Sequence, residues 1–513
     1  MTTSAPVRSR TALAGLCLAF AVAYGAGAPL SGNQNTYLLH AAAHAGWGTV
    51  AADWSAHSPD PFPVFTTLVQ PMLAGRPGVW LTITHLFLVA LYAYALAAIA
   101  AATFGWTSIA VAPPLLIAAV FAAHSRLLAS ASMRAAGVDA RALLVDGVAN
   151  QYVLGPVLQP SMSGVLIIAA IALFLHDRPW LAIVSAVAAA IGHTTYLLSA
   201  ALFTLSCGGV LVGRGRWRDA AGIAALSFVL ALPVVAYAAL TFAPTDAATF
   251  DRAAHLLADD RIAIHARVAT WFGAATIVKA GVVGAALWVV RRRPIFPFLW
   301  PAFVVALVST AVLAASPNPV LALQFPWRVS VWLVPIAATL LAAHWCQTGV
   351  RRLADISAGA TRTPAARRSW TACAIAIAGL VAYGAVGSAV EARRVSRTPE
   401  APLRDRVAAG VSAGEIYLVP PDMEDFRLRT RAAIVVDAKT HPYKDVDVLA
   451  WKDRLDHARA FYAERGPARC EELGAIARRY AATRVVVPAG DPVTCRGTLR
   501  TYADAAFAIY AIE

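Results

Sequence analysis

The sequence predicts a mainly α-helical fold: a polytopic transmembrane helical bundle of about eleven spans, followed by a small C-terminal α/β domain. Composition is the first observation behind this prediction. Of the 513 residues, 59% are hydrophobic and only 14% are charged, whereas a soluble domain is about half apolar and a quarter charged. The second observation is a series of apolar runs of membrane-spanning length. The third is an abrupt rise in charge density after Glu391.

The apolar runs follow one another from the N-terminus, and each has the length of a membrane-spanning helix or is slightly shorter. They lie near 11–29, 77–104, 107–123, 163–176, 180–195, 196–213, 219–241, 268–290, 296–316, 327–346 and 371–390. The division within 180–213 rests on Gly192-His193-Thr194, which we interpret as the turn between two helices. The first run resembles a signal peptide with a cleavage site at Ala26–Ala28. We expect it to stay as an uncleaved helix.

Basic residues predict one orientation for all these helices. If the helices alternate in direction, five basic clusters fall on the same side, which is cytoplasmic by the positive-inside rule. These clusters are Arg8/Arg10, Arg178, Arg214/Arg216/Arg218, Arg291–Arg293 and the arginines of 351–368. The formal net charge of +14 is therefore explained by topology, and without a basic-aromatic module we expect no nucleic acid as partner.

The opposite, extracytoplasmic side then receives the remaining connections. They are the long first loop 31–76, segment 124–162, loop 242–267, loop 317–326 and the tail from Glu391. We expect the N-terminus in the cytoplasm. The Ala-, Arg- and Val-rich composition favours a bacterial cytoplasmic (inner) membrane as the location.

The chain thus divides into a transmembrane domain, residues 1–390, and an extracytoplasmic α/β domain, residues 391–513. Within the tail, strand-length apolar runs alternate with helical patterns, which is typical of an α/β domain. The strand runs are Ile416–Val419, Ala433–Val436 and Val485–Val487, and the helical patterns are Leu449–Glu464 and Cys470–Tyr480. Export of this domain would allow a disulfide between Cys470 and Cys495.

The first outer loop is the leading candidate for a functional site. It holds Asp53, followed by His57 and Asp60. A carboxylate at the membrane surface can act as general base on a hydroxyl or bind a divalent metal such as Mg²⁺ or Mn²⁺ through oxygen. The alternative is a carboxylate that caps a helix by accepting hydrogen bonds from backbone amides.

Amide side chains precede the span at residue 163. Asn150, Gln151 and Gln159 lie among Gly and Pro residues, a pattern that favours an irregular segment lining a polar cavity. An ordinary surface loop is the alternative. His193, in the turn between two spans, is interpreted as an interfacial hydrogen-bonding residue.

Three cationic or ionisable residues on the outer side can bind phosphate. Arg261 and His265 lie in loop 242–267, and Arg328 follows Gln324 at the start of the tenth span. A buried arginine binds phosphate bidentately. The alternatives are solvated charges for Arg261 and His265, and a snorkelling anchor for Arg328.

In the tail, the strand at 433–436 ends in Asp437, Lys439, His441 and Tyr443. Polar residues at the carboxyl end of a strand lie at the usual binding edge of an α/β sheet. A turn whose polar groups are satisfied locally is the alternative. The chain has no Gly-rich phosphate loop, nucleophile elbow or His-Glu-x-x-His motif.

Taken together, the layout resembles the GT-C superfamily of integral-membrane glycosyltransferases, which use polyprenyl-phosphate-linked sugars. In that superfamily the catalytic acid follows the first helix. Here the matching stretch reads Gly32-Asn33-Gln34-Asn35-Thr36-Tyr37, with amides where acids are expected, and Asp53 follows later in the same loop. Arg328 matches the family's phosphate-binding arginine by location.

The resemblance implies an inverting transfer of sugar from a polyprenyl-phosphate-linked donor, or a related envelope lipid, to an envelope acceptor. Asp53 would be the base and the ligand of any metal, and Arg328, Arg261 and His265 would bind the donor phosphate. The implied substrate cavity comprises Asn33, Gln34, Asn35, His57, Asp60, Asn150, Gln151, Gln159, His193 and Gln324. The alternative is a non-catalytic carrier or assembly protein for envelope lipids or polysaccharides.

Overall fold

A computed structural model describes residues 7–105, 114–356 and 364–513. Part of the predicted apolar run 107–123 and most of the basic connector 357–368 lie outside the described residues. So do the side chains of Arg8 and Arg10 and those of the arginines in 351–368.

Twenty helices form the described part of the chain before residue 397. Those up to the middle of the chain are α1 (Val7–Tyr24), α2 (Gln34–Tyr37), α3 (Leu39–His44), α4 (Pro63–Leu73), α5 (Pro77–Phe104), α6 (Pro114–His124), α7 (Arg126–Ala136), α8 (Ala140–Val145), α9 (Val165–Leu175), α10 (Pro179–Gly192), α11 (Leu197–Gly213) and α12 (Trp217–Thr241). Next come α13 (Ala247–His255), α14 (Ala263–Ala266), α15 (Val268–Trp271), α16 (Ala274–Val290), α17 (Phe296–Ala315), α18 (Pro319–Ala322), α19 (Ser330–Ile356) and α20 (Pro364–Ser396).

Apolar helices that can cross a membrane dominate this region. Among the described residues, six helical stretches meet both the length and the hydropathy that a span requires, and counting one bent pair as a span gives seven. The six are Pro77–Phe104, Thr194–Gly213, Trp217–Thr241, Phe296–Ala315, Pro319–Thr348 and Thr371–Ser396. Shorter apolar helices occupy Leu13–Tyr24, Pro160–Leu175, Pro179–Gly192 and Ala274–Val290. A multi-pass bundle is thus supported, but the count of about eleven spans is not confirmed.

Helix α9 lies inside the bundle, packed against α5 and α10. Its sequence is apolar on every side, so it can be buried all round. The bend between α6 and α7 measures 64°. It occurs at Ser125, whose hydroxyl caps α7 by accepting from the Leu128 amide at 3.1 Å.

Several connections meet around the tail, in a region that we call the domain face. The first loop contacts segment 124–162 and the tail, and loop 242–267 contacts the same two parts of the chain. At other connections, Arg216 forms an ion pair with Asp177 at 3.3 Å, and the Arg293 guanidinium lies 5.7 Å from the centre of the Phe104 ring. The orientation of the bundle in a membrane stays a prediction.

The tail folds into a five-stranded sheet with helices, which confirms the predicted α/β character. Its elements are α21 (Ala401–Gly410), β1 (Ile416–Leu418), α22 (Phe426–Thr430), β2 (Ala433–Ile434), α23 (Asp445–Ala463), α24 (Gly466–Tyr480), β3 (Arg484–Pro488), β4 (Thr498–Ala503) and β5 (Phe507–Ile512). The strand order is β2-β1-β3-β5-β4. Strands β2, β1 and β3 are parallel to one another, and β5 is antiparallel to both of its neighbours, β3 and β4.

Two strands of this sheet, β4 and β5, were not among the predicted elements. β4 is an edge strand whose residues are mostly exposed, so its sequence lacks the apolar run by which the other strands were found. The predicted disulfide is present: Cys470 and Cys495 are bonded, with their Cα atoms 5.3 Å apart. This bridge ties α24 to the turn before β4.

Residues 146–159 have no regular secondary structure although most of them are buried. Their carbonyl oxygens accept hydrogen bonds from side chains of the surrounding helices. The donors are Tyr24 to Leu154 at 2.8 Å, His85 to Gly155 at 2.9 Å, Gln34 to Leu158 at 2.9 Å and Lys279 to Gly147 at 2.6 Å. Irregular backbone inside a membrane protein needs such partners. The segment is thus irregular as predicted and is not an ordinary surface loop, whereas its role in lining a polar cavity stays a prediction.

This segment also requires a glycine where it meets α19. A Cβ on Gly147 would lie 2.4 Å from the Ser330 hydroxyl oxygen and 2.8 Å from the Val331 amide nitrogen. The Ser330 hydroxyl in turn accepts a hydrogen bond from the Val148 amide at 2.9 Å. Close backbone approach at Gly147 therefore fixes the segment against the start of α19.

We predict that Gly147→Ala destabilises the protein by roughly 1–3 kcal/mol, the usual cost of overpacking a filled site. Thermal unfolding of the purified protein would measure the loss. Gly208→Ala is the matched control, because a Cβ there meets nothing within 4 Å and helix propensity favours alanine. Equal melting temperatures for the two variants would contradict the packing argument.

Candidate functional site

Asp53 is fully buried and forms an ion pair with Arg427 of α22. Its Oδ2 atom accepts from the Arg427 Nε at 2.7 Å and from the Ile434 amide at 3.0 Å. Its Oδ1 accepts from the Ser55 amide at 2.9 Å and caps the helical turn Trp54–His57. Both carboxylate oxygens therefore have partners inside the protein.

This placement corrects the expectation that Asp53 is the catalytic base or a metal ligand. A base must reach the hydroxyl of a substrate, and this carboxylate is sealed between the first loop and the tail. The capping alternative describes it better, with an ion pair added. No group of three or more His, Cys, Asp or Glu side chains in the described part of the chain can hold a metal ion.

Arg427 extends the pair into a triad by reaching a second aspartate. Its Nη1 donates to Asp437 at 2.8 Å, and all three side chains are buried. The other Asp437 oxygen accepts from the Lys439 and Thr440 amides at 2.8 and 2.6 Å. The triad thus fixes the turn 437–443 against the first loop.

Arg328 lies at the start of the tenth predicted span and is only 8% exposed. Its guanidinium carbon lies 5.2 Å from the centre of the Tyr196 ring, and its Nε is buried without a hydrogen-bond partner. The backbone just before it is strained, because Phe325 has φ of 49° although it precedes a proline. Strain of this kind collects at binding sites.

Arg261 approaches the same region from loop 242–267. It ends a π-helical turn, Leu256–Arg261, a rare element that occurs often at functional sites. Its Nη2 donates to the Lys439 carbonyl, and its Nε is buried without a partner. Burial lowers the pKa of Arg261, which shows how far its charge is removed from water.

Neither Arg328 nor Arg261 has a carboxylate within 4.0 Å among the described residues. The carboxylates whose charges act on the pKa of Arg261 are Asp437 and Glu424. These two are already bound to Arg427 and Lys439, each at 2.8 Å. Two arginines without a carboxylate partner, the buried Arg328 and the partly buried Arg261, are the main electrostatic feature of the domain face.

Two tyrosines lie near both arginines. The Tyr37 and Tyr443 hydroxyls each lie within electrostatic range of both Arg328 and Arg261. Burial raises the pKa of both tyrosines, so both stay protonated as hydrogen-bond donors. We call this group of four side chains, Arg261, Arg328, Tyr37 and Tyr443, the arginine chamber.

His265 lies next to this chamber but is oriented away from phosphate binding. Its Nδ1 must donate to the Ala149 carbonyl at 2.8 Å, because a carbonyl only accepts. Burial lowers the pKa of His265, so the ring is neutral and Nε2 carries a lone pair. The His265 carbonyl accepts from Trp327 at 3.1 Å. His265 therefore links loop 242–267 to Ala149 and to Trp327, and its neutral ring has no further N–H for a phosphate, which corrects its predicted role as a phosphate ligand.

The other predicted cavity residues differ in their burial and in their hydrogen-bond partners. Asn33 binds Gln159 and Tyr152 at 2.9 and 3.1 Å, and Gln151 and Gln159 are buried with one unpartnered polar atom each. Gln34 and Asn35 are bound by backbone and by Asp425. His57, Asn150 and Gln324 are exposed at the surface, so the structure does not bring them into the cavity. His193 is buried, with its ring centre 4.7 Å from that of Phe62.

Asp60 lies in a cleft beside the chamber. The cleft is formed by the first loop and the turn 440–443, and Tyr37 and Tyr443 line both it and the chamber. One Asp60 oxygen accepts from the Phe62 amide at 2.8 Å. Among the described residues that line the cleft, Asp60 is the one carboxylate.

Sequence reasoning did not assign roles to Tyr37, Tyr443 or Arg427. Tyr443 lies in the turn after β2, where polar residues at the end of a strand were noted as a binding edge. Tyr37 and Arg427 gave no comparable signal, because their roles depend on partners far away in the chain.

Comparison with known families gives one match, which covers part of the tail. Residues 406–458 match a family described as a domain of unknown function, DUF6798. The matched stretch includes Arg427, which pairs with Asp53 of the first loop, and Tyr443, which packs against Phe62 of the same loop. No curated protein matches the chain.

We predict that Asp53→Asn lowers the free energy of unfolding by about 3–5 kcal/mol, because it leaves Arg427 short of a charged partner in a buried site. Thermal unfolding at neutral pH would measure the loss. Glu391→Gln is the control, since its partner Arg394 is 69% exposed and such pairs contribute less than about 1 kcal/mol. A loss no larger than that of the control would contradict a structural role for the triad.

Acidification should destabilise the protein through its buried histidines. Burial, together with the nearby Arg261 and His265, lowers the pKa of His441 to about 3. The unfolded chain protonates histidine below about pH 6.5 while folded His441 stays neutral. Each such histidine therefore lowers stability by about 1.4 kcal/mol per pH unit as the pH falls from 6.5 towards 3.

Melting temperatures between pH 7.5 and 4.5 would test this, with His441→Gln expected to flatten the decline. The exposed His57 serves as control, because His57→Gln should leave the pH dependence unchanged. A wild-type melting temperature that is constant over this range would contradict the prediction.

Proposed function

We propose that the protein is a multi-pass membrane glycosyltransferase of the GT-C type, which transfers sugar from a polyprenyl-phosphate-linked donor to an envelope acceptor. The observation that carries this proposal is a pair of arginines, Arg328 and Arg261, that lack a carboxylate partner among the described residues and each keep a buried Nε without a hydrogen-bond partner. A buried charge without a partner is costly, and a ligand phosphate would supply the missing counterion through bidentate hydrogen bonds. The apolar helices around the chamber suit a donor whose phosphate is attached to a lipid.

Asp60 is the proposed base, in place of Asp53. It would take the proton of the acceptor hydroxyl while the hydroxyl oxygen attacks the anomeric carbon of the donor sugar. The bond between that carbon and the phosphate oxygen then breaks, with inversion. Arg328 and Arg261 stabilise the negative charge that remains on the leaving lipid phosphate. No step in this sequence requires a metal.

A non-catalytic carrier is the second candidate, and a specific observation favours it. The stretch Asn33–Asn35 holds amides where the superfamily has its acid, and Asp53 is held in the triad. A carrier would need the arginine chamber but no base. The two candidates therefore differ in whether Asp60 matters.

We predict that Arg328→Gln lowers sugar transfer by about 10²–10³-fold, the usual effect of losing one charge-stabilising group. Asp60→Asn should lower it by about 10²–10⁴-fold through loss of the base. The assay is transfer from a panel of polyprenyl-phosphate sugars in proteoliposomes at matched protein content. Arg394→Gln, on an exposed part of α20, is the control and should transfer at the wild-type rate.

The outcomes separate the candidates. Transfer that survives Asp60→Asn would keep the enzyme and remove Asp60 as its base. No transfer with any donor, together with polyprenyl-phosphate binding that Arg328→Gln abolishes, would establish the carrier. Lipid-phosphate binding that is unchanged by Arg328→Gln and by Arg261→Gln would remove the arginine chamber from both.

A further inference from the structure

His40 and Asp60 line the same cleft, between the first loop and the turn 440–443 of the tail. Inside this cleft, the space that water can occupy measures about 20 Å³. One buried water needs at least about 10–15 Å³, so the cleft has room for a single water molecule. Asp60 is the proposed base, and a base in so narrow a cleft needs a route by which its proton returns to solvent.

Three polar side chains around this space can bind a water. Asp60 accepts from the Phe62 amide at 2.8 Å through one of its two carboxylate oxygens. The Ser55 hydroxyl is buried without a hydrogen-bond partner among the described residues, and His40 is only 8% exposed. A buried water makes two to four hydrogen bonds to groups that otherwise lack a partner. Asp60, Ser55 and His40 supply three such groups.

His40 is neutral at pH 7 and can accept a proton. Burial lowers the pKa of its ring, and the Asp60 carboxylate acts in the opposite direction. A hydrogen bond to the Ala56 backbone also favours the protonated ring, so one ring nitrogen donates to Ala56 and the other carries the lone pair. A neutral histidine next to a carboxylate is well suited to pass a proton on.

The elements packed against α3 bring few charges to His40. Helix α4 carries no titratable side chain, and the first loop supplies Asp60 and Asp53, which both favour the protonated ring. His44, one turn further along α3 on the same face, disfavours it and is exposed to solvent. The other titratable side chains of the packed turns and of the facing cleft wall are Tyr37, His57, His441 and Tyr443. Among the neighbouring charges, Asp60 has the largest effect on His40.

We propose that His40 receives, through a water in the cleft, the proton that Asp60 takes from the acceptor hydroxyl. The Asp60 carboxylic acid gives its proton to the water, and the water gives one of its own to the lone pair of His40. This restores the carboxylate next to an imidazolium cation, and the proton then leaves at the exposed His44 end of α3. His40 thus acts through Asp60. Its role in transfer rests on the proposed function, whereas proton exchange between the two side chains does not.

The transfer assay with His40→Gln tests this path. Glutamine can keep a hydrogen bond to the Ala56 backbone but cannot take up a proton, so kcat should fall about 10²-fold, the contribution of one proton-transfer group, with KM unchanged. Ser55→Ala, which removes one partner of the water, should lower kcat about two- to tenfold. The wild-type kcat should decline as the pH falls below about 6.5 and His40 is protonated, and this decline should be absent in His40→Gln. A purely structural role would leave the decline in place. The exposed His57 gives the matched control, because His57→Gln should transfer at the wild-type rate.

Histidine-selective NMR of the full chain in lipid nanodiscs tests the pair without any donor. The ring signal of His40 is assigned by its loss in His40→Gln. Asp60→Asn should lower the pKa of His40 further, because the variant lacks the carboxylate charge that favours the imidazolium. Asp456→Asn, at a 53% exposed position of α23, is the matched control and should leave the titration of His40 unchanged.

Two results would overturn the inference: a His40 titration that is the same in Asp60→Asn as in the wild type, or transfer by His40→Gln at the wild-type rate. The test remains separate from that of the proposed function. A His40 titration that depends on Asp60, without transfer from any donor, would keep the proton exchange and remove the glycosyltransferase. Transfer that is lost in Asp60→Asn but complete in His40→Gln would keep the enzyme and remove the path.

Discussion

The Arg427 guanidinium holds together parts of the chain that are 374 residues apart in sequence, through its bond to Asp53. It joins the first loop, through Asp53, to the turn after β2, through Asp437. A buried ion triad of this kind contributes little net stability compared with apolar packing. Its effect is to fix position: it sets how the tail sits on the first loop, and every feature of the candidate site lies at that junction.

Other contacts between the tail and the bundle lie at the same junction. Asn35 donates to Asp425 at 2.7 Å, and the Thr245 amide and hydroxyl donate to Asp445 at 2.7 and 2.8 Å. The domain is therefore attached to two separate connections of the bundle. Because the turn 437–443 carries His441 and Tyr443, the attachment of the domain also determines the shape of the cleft and of the arginine chamber.

Three arginines with different partners, two of them buried and Arg261 partly buried, explain where we expect binding. Arg427 has two aspartates and serves structure, whereas Arg328 and Arg261 have none among the described residues. The difference lies in the neighbours, since all three have the same chemistry. Aspartate at the first site satisfies the charge permanently, and its absence at the other two leaves the charge for a ligand.

Much of this architecture could be predicted from sequence because its causes are local. Hydropathy identified the apolar helices, and the change of composition at Glu391 separated the tail from the bundle. The predicted pairing of Cys470 with Cys495 is present, and Arg328 and Arg261 were identified as candidate phosphate ligands. The edge strand β4 was missed because exposed strands lack an apolar run.

Only the tertiary structure decided the roles of the carboxylates. Nothing near Asp53 in the sequence indicates that its partner is Arg427. From sequence alone, a carboxylate that pairs with a distant arginine cannot be distinguished from one that faces a substrate. The same limit applies to Asp60 and Tyr443, which become neighbours of one cleft only when the tail folds onto the first loop. The sequence by itself determined which residues carry charge and which segments lie in the apolar bundle. The fold decided which charges are neutralised, because that depends on contacts between residues hundreds of positions apart.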